Sequence, residues 1–246
     1  MFQKKSMLKY KKIIPWERKE VRKMKSVISI GNQDFISIRK NRCFYIDKTD
    51  FIREWWENQD SVTLITRPRR FGKTLNMSMT EYFFSIKYSD LGKYFKGLNI
   101  WKNDKMRKIQ GTYPVISLSF ADIKAANYES ARRGIIRKIV RLYSEFDYIR
   151  ESGVLNEKDL AYFDSVEESM TDDAAAVAIN YMSDYLSRYY EKKVMILLDE
   201  YDTPLQEAYI YGYWEKLTGF VRSLFNSTFK TNPYMERGLL TGITRV

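Results

Sequence analysis

A glycine, a lysine and a threonine stand together at residues 72–74, directly after the basic stretch RPRRF. These residue types in this order suit phosphate chemistry, because glycine allows a close backbone approach, lysine supplies a mobile positive charge and a threonine hydroxyl can bind Mg²⁺. The usual phosphate-binding loop, G-x-x-x-x-G-K-[ST], also has a glycine where this chain has Arg67 followed by Pro68. The second half of the pattern is intact and the first half is unusual.

The unusual first half removes some of the backbone donors that normally surround phosphate, since proline has no N–H group. The guanidinium groups of Arg67, Arg69 and Arg70 are suited to replace them, because arginine forms paired hydrogen bonds to phosphate oxygens. The alternative is a basic surface turn that merely ends in GKT. The residues expected to contact a nucleotide are Arg69, Arg70, Phe71, Gly72, Lys73, Thr74 and Leu75.

Two acids follow an apolar run in VMILLDE at residues 194–200. A run of this kind is typical of a central parallel strand, whose end would deliver Asp199 and Glu200 to the edge of the sheet where the loop also lies. Thr74 and Asp199 are therefore predicted to hold Mg²⁺, and Glu200 to orient the attacking water. The alternative is that the acids are helix caps or surface charges.

The elements that must position these residues alternate between strands and helices, which predicts an α/β fold with helices on both faces of a mainly parallel sheet. The predicted strands are residues 61–66, 113–120, 194–200 and 237–246. The predicted helices are residues 73–86, 127–148, 173–190 and 213–229. Residues 44–58 are predicted to form a short strand and then a helix capped by Asp47 or Thr49.

Composition excludes several kinds of site in this chain of 246 residues. With no histidine and a single cysteine, Cys43, the chain cannot form a Ser-His-Asp triad, a Cys-His nucleophile or an internal disulfide. No apolar run is long enough to span a bilayer, and no apolar signal core is present, so we expect a reduced, cytoplasmic protein.

The formal net charge of +11 is unevenly distributed along the sequence. Residues 1–25 hold ten basic and two acidic side chains, so most of the surplus belongs to this segment. We expect residues 1–25 to be a basic arm and residues 26–246 to be the folded domain. The arm is a possible contact for DNA or RNA, although such charge runs are more often solvated tails.

Four strings of the sequence, FYIDKT, RPRRFGKT, LLDEYDTPL and GLLTGITR, together resemble the bacterial and archaeal AAA-ATPase-like family. The resemblance covers roughly residues 27–246 and implies that RPRRFGK is a family trait. It implies a P-loop ATPase of the additional-strand type that uses ATP and Mg²⁺, with Gly72, Lys73 and Thr74 in the Walker A loop and Asp199 and Glu200 in the Walker B motif.

The same resemblance assigns roles near the end of the chain. The strand at 238–243 is expected between the loop strand and the acidic strand, with Thr241 as a polar sensor residue and Arg245 as a sensor of the γ-phosphate. Members of the family often carry a C-terminal domain that resembles restriction endonucleases. The chain is expected to comprise only the ATPase part, without its last strand and helical lid.

Three readings of the function follow. The first is an Mg²⁺-dependent ATPase in which Lys73, Glu200, Thr241 and Arg245 act on the triphosphate. The second is a nucleotide-binding or regulatory module that does not hydrolyse, and the third is a module associated with nucleic acid. A small-molecule kinase would share the loop, but the adjacent Asp199 and Glu200 favour activation of water over an acceptor pocket.

Overall fold

Four parallel strands form the centre of the protein, for which a computed structural model describes residues 27–245. The strands are β1 (Val62–Thr66), β2 (Val115–Ser119), β3 (Val194–Asp199) and β4 (Met235–Gly242). Their order across the sheet is β1-β4-β3-β2. The predicted position of the strand at 238–243, between the loop strand and the acidic strand, is therefore confirmed.

Nine α-helices surround this sheet within residues 27–245. They are α1 (Phe35–Lys40), α2 (Asp50–Glu57), α3 (Lys73–Phe84), α4 (Asp104–Ile109), α5 (Tyr128–Glu145), α6 (Glu157–Asp164), α7 (Asp172–Tyr190), α8 (Thr203–Tyr211) and α9 (Trp214–Phe225). Shorter 3₁₀ segments lie at Ile86–Phe95, Asn99–Lys102 and Asp147–Ile149, and a π-helical turn follows α9 at Asn226–Lys230. None of the helices in this part of the chain combines the length and apolar composition needed to cross a membrane.

The sheet is buried on both faces at β3, and the alternation of side chains along this strand shows how, whereas Val62 and Leu64 on the edge strand β1 remain exposed. Ile196 and Leu198 belong to a core that packs against α5, α7 and α9. Met195 and Leu197 point to the opposite face, into a second core formed with α2, α3 and the 3₁₀ segment that contains Phe95. A strand buried on both faces must be apolar throughout, which explains the VMILL sequence. The three-layer α/β prediction is confirmed.

The strand register places the candidate site residues at one edge of the sheet. Ile65 of β1 stands opposite Thr241 of β4, and Leu198 of β3 stands opposite Leu240. Asp199 is therefore level with Thr241, and the loop that contains residues 67–72 leaves β1 just beyond that level. Because all strands run parallel, their carboxyl ends lie on the same side.

The predicted long helices correspond to α3, α5, α7 and α9, but the prediction for residues 44–58 is partly wrong. Residues 44–47 are not a strand, since Phe44 donates a single backbone hydrogen bond to Val27 and has no strand partner. Neither Asp47 nor Thr49 caps α2 with its side chain, because the two side chains are hydrogen-bonded to each other. The basic arm at residues 1–25 lies outside the described residues.

Candidate functional site: the phosphate loop and the acidic strand end

The loop between β1 and α3 takes its shape from two residues with positive φ. These are Arg70, with φ 69°, and Gly72, with φ 77°. Arg67, at the position of the expected glycine, does not have positive φ, and its N–H donates to the carbonyl of Gly242 at 3.1 Å. The backbone of this loop therefore does not require glycine at position 67, since the left-handed residues are Arg70 and Gly72.

Lys73 occupies the inside of the loop. The side chain is buried, and its ammonium group donates to the carbonyl of Arg67 at 2.8 Å and to that of Pro68 at 3.1 Å. Pro68 has no N–H to offer a phosphate, but here it contributes a carbonyl oxygen. These two contacts hold the Lys73 ammonium group inside the loop.

The amino end of α3 faces the same loop. Gly72 is the residue before the helix, and its carbonyl accepts from the N–H of Asn76 at 3.0 Å. The N–H groups of Lys73, Thr74 and Leu75 therefore have no partner within the helix, and the helix dipole adds positive potential there. Such an end is suited to bind an anion.

The predicted nucleotide contacts are not equivalent in the structure. Arg69, Arg70 and Phe71 are exposed, Thr74 is half-buried, and the Leu75 side chain packs against the second core. Leu75 can thus offer only its backbone N–H to a ligand. The arginines of the loop form no ion pair with any residue of the described chain.

Asp199 is buried at the end of β3, and one of its carboxylate oxygens, Oδ1, accepts a hydrogen bond from the hydroxyl of Thr241 on β4. The other oxygen, Oδ2, receives no hydrogen bond from residues 27–245. The structure thus brings together an acid and a polar residue that are 42 positions apart in the sequence. It leaves one carboxylate oxygen available for a ligand.

Glu200 follows with a left-handed backbone, at φ 51°. Its Oε2 atom accepts from the hydroxyl of Thr203 at 3.2 Å, and the next N–H, that of Tyr201, donates to the carbonyl of Thr241 at 3.1 Å. A non-glycine residue in this conformation is strained by about 1–3 kcal/mol, and such strain is concentrated at functional sites. The turn directs the Glu200 side chain away from the path of the strand.

Asp202 is the residue that sequence reasoning missed. It is 1% exposed, and its Oδ2 atom accepts from the N–H groups of Ile243 and Thr244 at 2.9 and 2.7 Å and from the Thr244 hydroxyl at 2.7 Å. Burial alone raises the pKa of Asp202, but the hydrogen bonds from Thr244, Ile243 and Gln206 outweigh it and hold the pKa below its ordinary value. Asp202 therefore ties the acidic turn to the segment that carries Arg245.

Arg245 is exposed at the end of the described chain and forms no ion pair there. Its position next to the residues that Asp202 binds places it on the same side of the sheet as Asp199.

A cavity of about 1330 Å³ reaches Thr244 from the side of α8, where it is lined mainly by residues 126–129 and 209–216. It adjoins this end of the sheet but does not include the loop.

The donor set fits a magnesium nucleotide better than a metal bound by protein alone. Within residues 27–245 no group of three or more acidic or cysteine side chains could hold a metal ion. Mg²⁺ commonly uses one or two protein oxygens together with substrate phosphates and water. The free oxygen of Asp199 and the Thr74 hydroxyl suit that requirement.

Comparison with known proteins gave one match. A family model described as AAA-ATPase-like, Predicted AAA-ATPase, covers residues 29–246. No curated protein and no solved structure matches the chain. The family description supports a general role in nucleotide binding and ATP hydrolysis. Since this family model spans almost all of the sequence, the chain belongs to the AAA-ATPase-like family of predicted AAA-ATPases.

Proposed function

We propose that the chain is an Mg²⁺-dependent ATPase that uses the loop at residues 67–74 and the acids at the end of β3. The observation that carries the proposal is the position of two groups at the same edge of the sheet. One is the buried Lys73 ammonium inside the loop, and the other is the hydrogen-bonded pair of Asp199 and Thr241. Together they supply positive charge for the phosphates and an oxygen ligand for the metal.

In this proposal the triphosphate lies over the amino end of α3. The N–H groups of the first helical turn bind phosphate oxygens, and Lys73 neutralises charge on the β- and γ-phosphates. Gly72 has no Cβ, so the backbone at φ 77° can approach the ligand without steric hindrance. Arg69 and Arg70 lie on the exposed side of the loop and add positive charge around it.

Thr74 and the free Oδ2 of Asp199 hold Mg²⁺, which when bound neutralises charge on the phosphates. Thr241 orients the Asp199 carboxylate by donating to its other oxygen. This arrangement fixes the direction of the free oxygen before the nucleotide binds. A preorganised ligand loses less conformational freedom on binding than a mobile one.

Glu200 orients and polarises the attacking water, and Arg245 responds to the γ-phosphate. Asp202 positions Arg245 through the N–H groups that it binds just before that residue.

One observation favours a second function, binding without turnover. Glu200 accepts a hydrogen bond from Thr203, so its carboxylate is already engaged by the first residue of α8.

A comparison of turnover and binding in one variant separates the two functions. Glu200→Gln removes the general base and is expected to reduce phosphate release from ATP about 10²- to 10⁴-fold, while ATP binding stays near the wild-type value. Glu207→Gln, a matched change later in α8, should leave both unchanged. Absence of phosphate release by the wild-type protein, with ATP bound, would favour the binding module.

A further inference from the structure

Lys48 lies beside the phosphate loop, although it is 25 positions before Lys73 in the sequence. A Cβ atom built on Gly72 would be 3.7 Å from the Lys48 ammonium nitrogen. Gly72 is the residue that precedes α3, so the ammonium group lies at the amino end of that helix. Lys48 itself is exposed and forms no ion pair with residues 27–245.

The turn that carries Lys48 is fixed by its neighbours. The Asp47 carboxylate accepts from the N–H and hydroxyl of Thr49 at 2.9 and 2.6 Å, and from the N–H of Asn99 at 2.7 Å. The Thr49 hydroxyl, which is fully buried, accepts in turn from the N–H of Ile100 at 3.1 Å. These bonds connect the turn to the second core, so the Lys48 backbone has a defined position next to the loop.

The charge around the loop is one-sided. Lys48, Arg67, Arg69 and Arg70 all form no ion pair within the described residues, and Lys73 is satisfied only by backbone carbonyls. Cations gathered around one loop repel one another, and a ligand with several negative charges reduces that repulsion. The uncompensated positive charge around the loop therefore favours an anion as the ligand.

We propose that Lys48, in the turn before α2, binds the polyphosphate of the nucleotide. It acts as a second lysine beside Lys73 of the loop. This inference rests on the proposed nucleotide-binding function. It assigns the Lys48 side chain to the phosphates of the nucleotide and not to its base or ribose. Arginine at position 48 should preserve much of the contact, because the charge is retained.

The test uses two probes in calorimetry, Mg-ATP and sodium tripolyphosphate, which has no base or sugar. Lys48→Ala is expected to weaken both by about tenfold, as for one lost charge-assisted hydrogen bond, and Lys48→Arg by less. Lys105→Ala is the matched control, since Lys105 is exposed and lies with Ser61 and Arg237 at the amino ends of β1 and β4. The control should bind both probes like the wild type.

The outcomes are distinguishable. Equal affinity of wild type and Lys48→Ala for both probes would overturn the role of Lys48 while leaving the nucleotide site in place. A loss with ATP alone would assign Lys48 to the base or ribose and would also refute a phosphate contact. If the wild-type protein bound neither probe, the proposed function itself would fail, together with this inference.

Discussion

The hydrogen bond between Thr241 and Asp199 provides the sharpest test of how the site is built. Thr241→Val keeps a similar side-chain shape and removes the hydroxyl that donates to the buried carboxylate. Thr241 is 2% exposed and Asp199 is 4% exposed, so water cannot easily replace the lost donor. The change therefore leaves the Oδ1 atom of the Asp199 carboxylate without its hydrogen-bond donor.

The size of the effect follows from the type of bond. A hydrogen bond to a charged group contributes about 1.5–3 kcal/mol, whereas one between neutral groups contributes about 0.5–1.5 kcal/mol. We expect Thr241→Val to lower the free energy of unfolding by about 2 kcal/mol. For a domain of this size that corresponds to a fall in Tm of about 4–8 °C.

The assay is thermal and urea unfolding without nucleotide, followed by the same measurement with Mg-ATP. Thr80→Val is the matched control, because Thr80 is also fully buried but its hydroxyl donates to a neutral carbonyl, that of Asn76, at 2.8 Å. The control should lose about 1 kcal/mol and keep the full stabilisation by Mg-ATP, whereas Thr241→Val should lose part of that stabilisation. The reasoning is refuted if Thr241→Val is as stable as Thr80→Val and gains as much from Mg-ATP.

Three further predictions concern backbone and charge at the same edge. Gly242→Ala places a Cβ 2.6 Å from Asp202 Oδ1 and is expected to destabilise the protein by about 1–3 kcal/mol in urea unfolding. Gly72→Ala meets no steric clash but must keep φ 77°, so it should cost about 1 kcal/mol and weaken ATP binding in calorimetry. The pKa of Asp202 is lower in the folded protein than in the unfolded chain, so the ionised carboxylate stabilises the folded state above about pH 4. That contribution is lost as the pH falls through the folded pKa, so the stability difference between wild type and Asp202→Asn should shrink on acidification.

Each of these predictions has a control or a contrary outcome. Gly219→Ala, in α9, meets nothing within 4 Å and should stabilise the protein by up to about 1 kcal/mol. Unchanged stability of Gly242→Ala would show that the contact with Asp202 relaxes at no cost. Unimpaired ATP binding by Gly72→Ala would argue against close approach of phosphate at that residue. A stability difference for Asp202→Asn that is independent of pH would mean that the Asp202 charge does not contribute.

The sequence predicts the sheet because its strands have simple patterns. The apolar run at 194–198 is buried on both faces, and parallel pairing then requires the acids after it and the loop after β1 to share an edge. The position of β4 between those strands came from resemblance to a family and not from periodicity. The short helices α1, α4, α6 and α8 were not predicted, since each has nine residues or fewer and shows no clear period.

The finer geometry depends on contacts between distant parts of the chain, which residue type alone does not reveal. Asp202 lies in the quoted string LLDEYDTPL, but only the structure shows that it binds the backbone after β4. The wrong strand at residues 44–47 has a similar cause, because Asp47 and Thr49 bind the segment at Asn99 and Ile100 instead of forming a ladder. A polar side chain before an apolar helix looks like a cap in the sequence, whichever partner it finally contacts.

The central claim is that TRPRRFGKT is a working phosphate site, and calorimetry of Mg-ATP with wild type and Lys73→Ala tests it most directly. We predict binding by the wild type and a loss of about a hundredfold in Lys73→Ala, since in the proposed site the ammonium group of Lys73 contacts several phosphate oxygens. The melting temperature of the variant establishes that it remains folded. Equal ATP affinity of the two folded proteins, or no binding by the wild type, would contradict the account.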